Sequence, residues 1–331
     1  MSASSRPRAA AQLGAPAPAA RPRGSAIAAA PAGGPFVPRL MTVGVIGAGR
    51  VGAVLGAALS RTGHRVIAAS GVSVAAKARI GQLLPGAANL PAAEVARSGA
   101  DLVIVAVPDD ALAAVVAGLA ETGALRPDQL VLHTSGAHGL GVLAPAVAVG
   151  ARPLAVHPAM TFTGTADDLA RLPGISYGVT VPAQLRAVAA RLVADLGGVP
   201  EWVGETDRPL YHAALAHGAN HLVTLVNEAM DRLRDAGVAT PEKVLAPLLH
   251  AALENALRLG DAALTGPVSR GDAGTVARHL DRLATTAPES VATYLALARR
   301  TADRAIAAGR LRPVDAVSLL GVLADQQRQS V

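Results

Sequence analysis

Nine histidines and no cysteine bound the chemistry open to this 331-residue chain. Disulfides, thiolate nucleophiles and cysteine-ligated metals are excluded. His157 stands in His157-Pro158-Ala159-Met160-Thr161-Phe162, directly after the apolar run Pro153-Leu154-Ala155-Val156. Histidine titrates near neutral pH and the proline fixes the backbone leaving a strand, so His157 is the leading general acid/base candidate. Its competing role is to satisfy a loop carbonyl. His133 and Ser135 close another apolar run, Gln129-Leu130-Val131-Leu132, where they either contact a substrate oxygen or cap the next helix. Tyr211-His212 opens a helical stretch in which His217, Asn220, His221 and Thr224 fall at i, i+3, i+4 and i+7. On a regular helix these four share one face, lining a cleft or meeting water. His217 and His221 lack an HExxH pattern and a third ligand, so no metal site is read there. Arg270, in Leu264-Thr265-Gly266-Pro267-Val268-Ser269-Arg270-Gly271-Asp272, either grips a substrate carboxylate bidentately or stabilises that turn with Asp272.

The elements that must position these side chains begin at Val43-Gly44-Val45-Ile46. This apolar run breaks into Gly47-Ala48-Gly49-Arg50-Val51-Gly52 and resumes as Ala53-Val54-Leu55-Gly56-Ala57-Ala58-Leu59. Strand, glycine turn and helix in that order form a dinucleotide-binding unit, with the pyrophosphate at the helix N-terminus. A second strand, Arg65-Val66-Ile67-Ala68-Ala69, ends in Ser70-Gly71-Val72-Ser73 with no carboxylate for a ribose 2′-hydroxyl. Small hydroxyls with Arg50, Lys77 and Arg79 nearby suit a 2′-phosphate, so NADP(H) is preferred over NAD(H). Lys77 and Arg79 serve equally well as solvating charges on the next helix. The run Leu102-Val103-Ile104-Val105-Ala106-Val107 reads as a strand buried on both faces, and Val107-Pro108-Asp109 then lies along the cofactor's ribose and nicotinamide.

From Met41 to about residue 205 strands and helices alternate, with further strands at Ser176–Thr180 and Glu201–Val203; helical periodicity dominates residues 206–331. The expected architecture is an α/β parallel-sheet domain over 41–205 and an all-α domain over 206–331 for substrate and dimer contacts. Residues 1–40 hold Arg6, Arg8, Arg21, Arg23 and Arg39 and no acid, five of the chain's six net positive charges. This Ala/Pro/Gly/Ser-rich stretch is expected to be a disordered or artefactual tail, with Met41 as an alternative start. The remainder is nearly neutral and interleaves no aromatics with basic patches, which argues against nucleic acid. No uncharged apolar run is long enough to span a bilayer, and a cytoplasmic protein acting on a small molecule is expected.

Gly47–Gly52, the His133–His157 region with Phe162, and Tyr211–Asn220 with Leu264–Asp272 together resemble the Rossmann-like oxidoreductases that carry a helical C-terminal domain of formerly unknown function. Their relatives are NADP-dependent β-hydroxyacid dehydrogenases, ketopantoate reductases and pyrroline-carboxylate reductases. The resemblance implies an NADP(H)-dependent reductase, dimeric through its helical domain. Asn220 fits those relatives' asparagine, but Ala216 stands where their catalytic lysine is expected, and the chain's two lysines, Lys77 and Lys243, lie elsewhere. Histidine, with His157 and His212 as candidates, or water must then donate the proton. The expected reaction is hydride transfer to a small 2-oxo acid such as 2-dehydropantoate, with Asn220 on the substrate oxygen, Arg270 on the carboxylate and Ser135 nearby. Gly47, Ala48, Gly49, Arg50, Val51, Gly52, Ser70, Val107, Pro108 and Asp109 are expected to bind the cofactor. His157-Pro158-Ala159-Met160 is also similar to the His-Pro-Met turn of prephenate dehydrogenases, and a non-catalytic NADPH-binding regulator is the third reading.

Overall fold

Short apolar strands alternating with helices carry the chain to Trp202, and helices carry it from Arg208 onward. The computed structural model describes residues 40–329, so the tail expected over residues 1–40 lies, apart from Leu40, outside the described residues. In chain order the sheet region comprises β1 (Thr42–Ile46), α1 (Arg50–Arg61), β2 (Arg65–Ser70), α2 (Val74–Leu83), β3 (Ala88–Asn89), α3 (Ala92–Arg97), β4 (Leu102–Val105), α4 (Asp109–Glu121), β5 (Leu130–His133), α5 (Ala144–Ala148), β6 (Arg152–Pro158), α6 (Asp168–Arg171), β7 (Ser176–Thr180), α7 (Arg186–Asp195) and β8 (Val199–Trp202). The helical region comprises α8 (Arg208–Leu215), a π turn (Ala216–Asn220), α9 (His221–Asp235), α10 (Pro241–Leu259), α11 (Gly266–Ser269), α12 (Ala273–Thr286), α13 (Val291–Ala307) and α14 (Pro313–Gln329).

The strands form one sheet in the order β3-β2-β1-β4-β5-β6-β7-β8. The expected all-parallel sheet needs one correction, because β7 runs antiparallel to β6, with His157 opposite Gly178. A parallel crossover needs a dozen or more residues, usually with a full helix. The β6–β7 link holds only the four-residue α6, and the chain turns back beside β6. Alternation along β1 and β4 sends Val43, Val45, Leu102 and Ile104 to one face, against Leu55 and Leu59 of α1. Ile46, Val103 and Val105 meet Leu112, Val116 and Leu119 of α4 on the other. α12, α13 and α14 share a separate core around Val276, Leu280, Leu295, Ala302 and Leu319. α9 buries no residue, and α9 and α10 expose Leu222, Val223, Leu225, Val244, Leu248, Leu253, Leu257 and Leu259. Among the described residues, no helix is long and apolar enough to cross a membrane.

β1 and β4 are neighbours whose chain continues in opposite directions across the sheet, the switch point at which open α/β sheets bind ligands. The glycine turn sits at the carboxyl end of β1. Gly47 and Ala48 both donate to the Ser70 carbonyl, at 3.2 and 2.7 Å, which ties the turn to the end of β2. Gly47 has φ +85° and a Cβ there would stand 2.6 Å from the Ala106 carbonyl oxygen, so only glycine fits. At Gly49, by contrast, the nearest atom to an added Cβ is 4.0 Å away, leaving open space above the start of α1. A Cβ on Gly52 would lie 2.3 Å from the Gly47 carbonyl oxygen. Gly52→Ala is therefore expected to force α1 off the strand and destabilise the protein by roughly 1–3 kcal/mol, read as a lower denaturant midpoint.

Candidate active site

His157 leaves β6 beside Gly178 of β7, and that glycine makes room for a ring. A Cβ on Gly178 would stand 2.6 Å from the hydroxyl oxygen of Tyr211, which reaches in from α8. The Tyr211 hydroxyl lies 3.0 Å from His157 Nδ1. With the phenol donating across that contact, Nδ1 accepts and the imidazole proton sits on Nε2. His212, one residue on, meets His157 edge-on at 5.8 Å between centroids. Both rings rest on Gly136, where a Cβ would be 2.5 Å from His212 Cδ2 and 3.1 Å from His157 Cδ2.

Arg208 builds the floor beneath this cluster. It has no exposed surface, and its guanidinium donates to the carbonyls of His138 (2.8 Å), Gly178 (3.0 Å) and Ser135 (3.3 Å). Glu205, a turn earlier, accepts from Leu140 N–H at 2.7 Å and Gly141 N–H at 2.9 Å. The segment 205–212 is thereby stitched to the loop after β5 and to β7, which fixes Tyr211 and His212 against His157. Sequence reasoning missed Arg208 and Glu205 as site builders. The one available signal was their position between the last strand and the first long helix.

Burial, followed by the positive fields of His212 and Arg208, pushes the His157 imidazole from 6.5 down to about 4. The expectation that it titrates near neutrality is corrected: at neutral pH it is uncharged, presenting Nε2–H as a hydrogen-bond donor. His133 is also pushed down to about 4, chiefly by burial. It has no exposed surface; its Nδ1 accepts from Ser135 N–H (3.2 Å) and its Nε2 donates to the Gly139 carbonyl (2.9 Å), so it organises its own loop. Asp109, at the start of α4, acts weakly in the opposite direction on both histidines.

The remaining candidates are distributed less tightly. Ser135 is buried, and its Oγ accepts from His138 N–H at 3.1 Å, leaving the hydroxyl proton to donate. Asn220 is exposed at the end of the π turn. The regular helix assumed for His217, Asn220, His221 and Thr224 is corrected by that turn, although His217 and His221 still meet at 3.2 Å between their Nδ1 atoms. A π turn holds about one extra residue, so Asn220 swings back towards the side of the helix that carries His212. Arg270 is exposed in a cleft of about 370 Å³ with Leu264, Thr265, Ser269 and Arg310, all from the helical region. Asp272 caps α12 through Thr275 N–H at 3.0 Å.

Two measurements follow. His133 and His157 are held below their unfolded value, so unfolding takes up protons between pH 6.5 and about 4, and stability falls as pH drops through that window. Chemical denaturation across it should show an uptake of up to about two protons per molecule. Arg208→Met leaves three carbonyls without their donor and is expected to cost roughly 3–5 kcal/mol, read in the same experiment at neutral pH.

Residues 29–158 match the family model of the Rossmann-like domain, and residues 175–301 match that of the Domain of unknown function (DUF2520). No curated protein matches the chain. Its structure is similar to a Bacteroides fragilis protein assigned as an NADP oxidoreductase, at 23% identity and TM-score 0.68, over 80% of this chain and 98% of that one. It is also similar to 1-pyrroline-5-carboxylate reductase from Streptococcus pyogenes, at 21% identity and TM-score 0.55 over the same shares. A third likeness is to the reductive aminase from Aspergillus terreus in complex with NADPH and ethyl levulinate, at 19% identity and TM-score 0.55, over 88% of this chain and 95% of that one. At these identities the likeness to solved structures is one of fold. In chain order, a segment that matches the Rossmann-like domain is followed by one that matches DUF2520.

Proposed function

We propose that the protein is an NADP(H)-dependent oxidoreductase that reduces a small 2-oxo acid such as 2-dehydropantoate. The observation that carries this is the meeting of the Gly47–Gly52 turn, the Val107–Asp109 loop and the His157–Tyr211 pair along one edge of the sheet, at its switch point. The open space at Gly49 fits a pyrophosphate against α1, and Ser70 and the exposed Arg50 suit a 2′-phosphate. NADP or NADPH in the names of the structural neighbours points the same way.

Bound NADPH supplies the hydride. His157 holds the substrate oxygen through Nε2–H, Asn220 orients that oxygen, and His212 keeps the imidazole ring in place. As charge develops on the oxygen, the Nε2 proton passes to it and the Tyr211 hydroxyl proton moves to Nδ1. The phenolate then left behind is opposed by burial and favoured by the charge of Arg208. A proton from water restores it. Arg270 and its neighbour Arg310 are the carboxylate-holding cations, with Ser135 as a further substrate contact. Reduction of a C=N bond is a second reading, favoured by the uncharged His157: an iminium arrives with its proton and asks the site for none.

The helical region is proposed to pair two copies into a homodimer, supported by the eight large apolar side chains that α9 and α10 leave exposed. Light scattering at twice the 33.0 kDa chain mass supports that pairing, and a monomer overturns it.

NADPH oxidation measured with 2-oxo acids and cyclic imines tests the activity. His157→Ala is expected to lower turnover by about 10²–10⁴-fold with NADPH affinity kept. Arg270→Ala should raise KM about tenfold or more with kcat little changed, as loss of a charged contact predicts. Turnover on imines alone selects the second reading. NADPH binding without turnover on either class overturns both and leaves a nucleotide-binding regulator.

A further inference from the structure

Two arginines of the sheet region converge on one turn. Arg50 opens α1 and Arg79 lies in α2. A Cβ placed on Gly164 would stand 2.6 Å from Arg79 Nε, 2.8 Å from Arg50 Cγ and 3.0 Å from Arg50 Cα, so both side chains meet at the Thr163–Gly164 turn. Neither arginine has an ion pair or hydrogen bond to a described residue. Gly164 adopts φ +82°, a conformation that favours glycine. The turn is held from below by Asp168, a fully buried carboxylate. Asp168 accepts from Thr163 N–H (2.9 Å), Thr163 Oγ1 (2.9 Å) and Gly164 N–H (2.7 Å).

Like charges gathered on a pinned backbone repel, and an anion between them relieves the repulsion. The anion that suits guanidinium best is a phosphate, which accepts bidentate, charge-assisted bonds. Arg50 belongs to the same glycine turn that Ser70, at the end of β2, holds through its carbonyl. We propose that Arg50 and Arg79 clamp the 2′-phosphate of the NADP(H) adenosine, and that the Asp168-pinned Thr163–Gly164 turn is the wall that seats Arg79 in the clamp. This rests on the NADP(H) reading above and adds to it a second cation and a selectivity element contributed from beyond β6.

Binding titrations of the full chain with NADPH, NADH, adenosine 2′,5′-bisphosphate and 5′-AMP test it without any substrate. Arg79→Ala is expected to weaken NADPH and the bisphosphate about tenfold or more, and to leave NADH and 5′-AMP unchanged. Gly164→Ala, whose Cβ presses on Arg79 Nε and on Arg50 Cγ and Cα, should lower the same two affinities more than those of NADH and 5′-AMP. A wild-type protein that binds NADPH and NADH equally overturns the cofactor reading and the clamp together. A wild-type preference for NADPH that survives Arg79→Ala leaves the cofactor reading standing and overturns the clamp. A preference lost in Arg79→Ala but kept in Gly164→Ala overturns the wall.

Discussion

Arg208 holds a guanidinium with no exposed surface against three backbone carbonyls, drawn from the loop after β5 and from β7. Removing a cation from water is expensive unless its donors are satisfied, and here three acceptors meet it in place of a carboxylate. Such an arrangement tolerates little displacement, because any movement strands either the charge or the carbonyls. It fixes the start of α8, and with it Tyr211 and His212. Glu205 tightens the same junction through the Leu140 and Gly141 amides. The first helix of the helical region is thus held as part of the sheet's functional edge.

A positive charge bonded to carbonyls and not to a carboxylate also acts on the histidines. Arg208 and His212 both oppose protonation of His157, and burial opposes it more strongly. A buried imidazolium would need a carboxylate in contact; Asp109 acts in that direction but is outweighed. What results is a neutral ring with one nitrogen engaged by Tyr211 and the other free to donate. The same field favours ionisation of Tyr211, against the burial that opposes it. In the proposed reaction the proton stored by the site sits on a phenol–imidazole pair, which accounts for how the chain manages with Ala216 where related enzymes are expected to carry lysine.

Those features were unequally visible in the sequence. The glycine turn, both central strands and the placement of His157 at a strand end were legible, because hydrophobic period and glycine spacing are local signals. The reversal of β7 was not, since strand direction depends on how the chain returns between Pro158 and Ser176 rather than on the residues of β7 themselves. The titration of His157 was misread because its cause lies in burial and in Arg208, about fifty residues along the chain. Nothing local in the sequence marks Gly136 and Gly178 as seats for His212 and Tyr211; that role appears only in three dimensions. The π turn broke a helical spacing that sequence periodicity assumed to be regular.

That π turn joins two helices with different support. α8 is anchored by Arg208, Tyr211 and His212, whereas α9 buries no residue of its own. Helices in proteins draw most of their stability from packing an apolar face, and α9 with α10 leaves that face uncovered. A second copy meeting the face about a two-fold axis would cover both α9–α10 pairs at once, since a two-fold contact uses the same patch on each partner. π turns recur at functional sites because the extra residue re-aims the side chains around it. Here it re-aims Asn220, the residue proposed to hold the substrate oxygen, from a position one turn beyond the anchored helix. In the proposed dimer, whatever covers α9 would act on Asn220 through a single continuous stretch of helix, coupling assembly to the placement of the substrate oxygen.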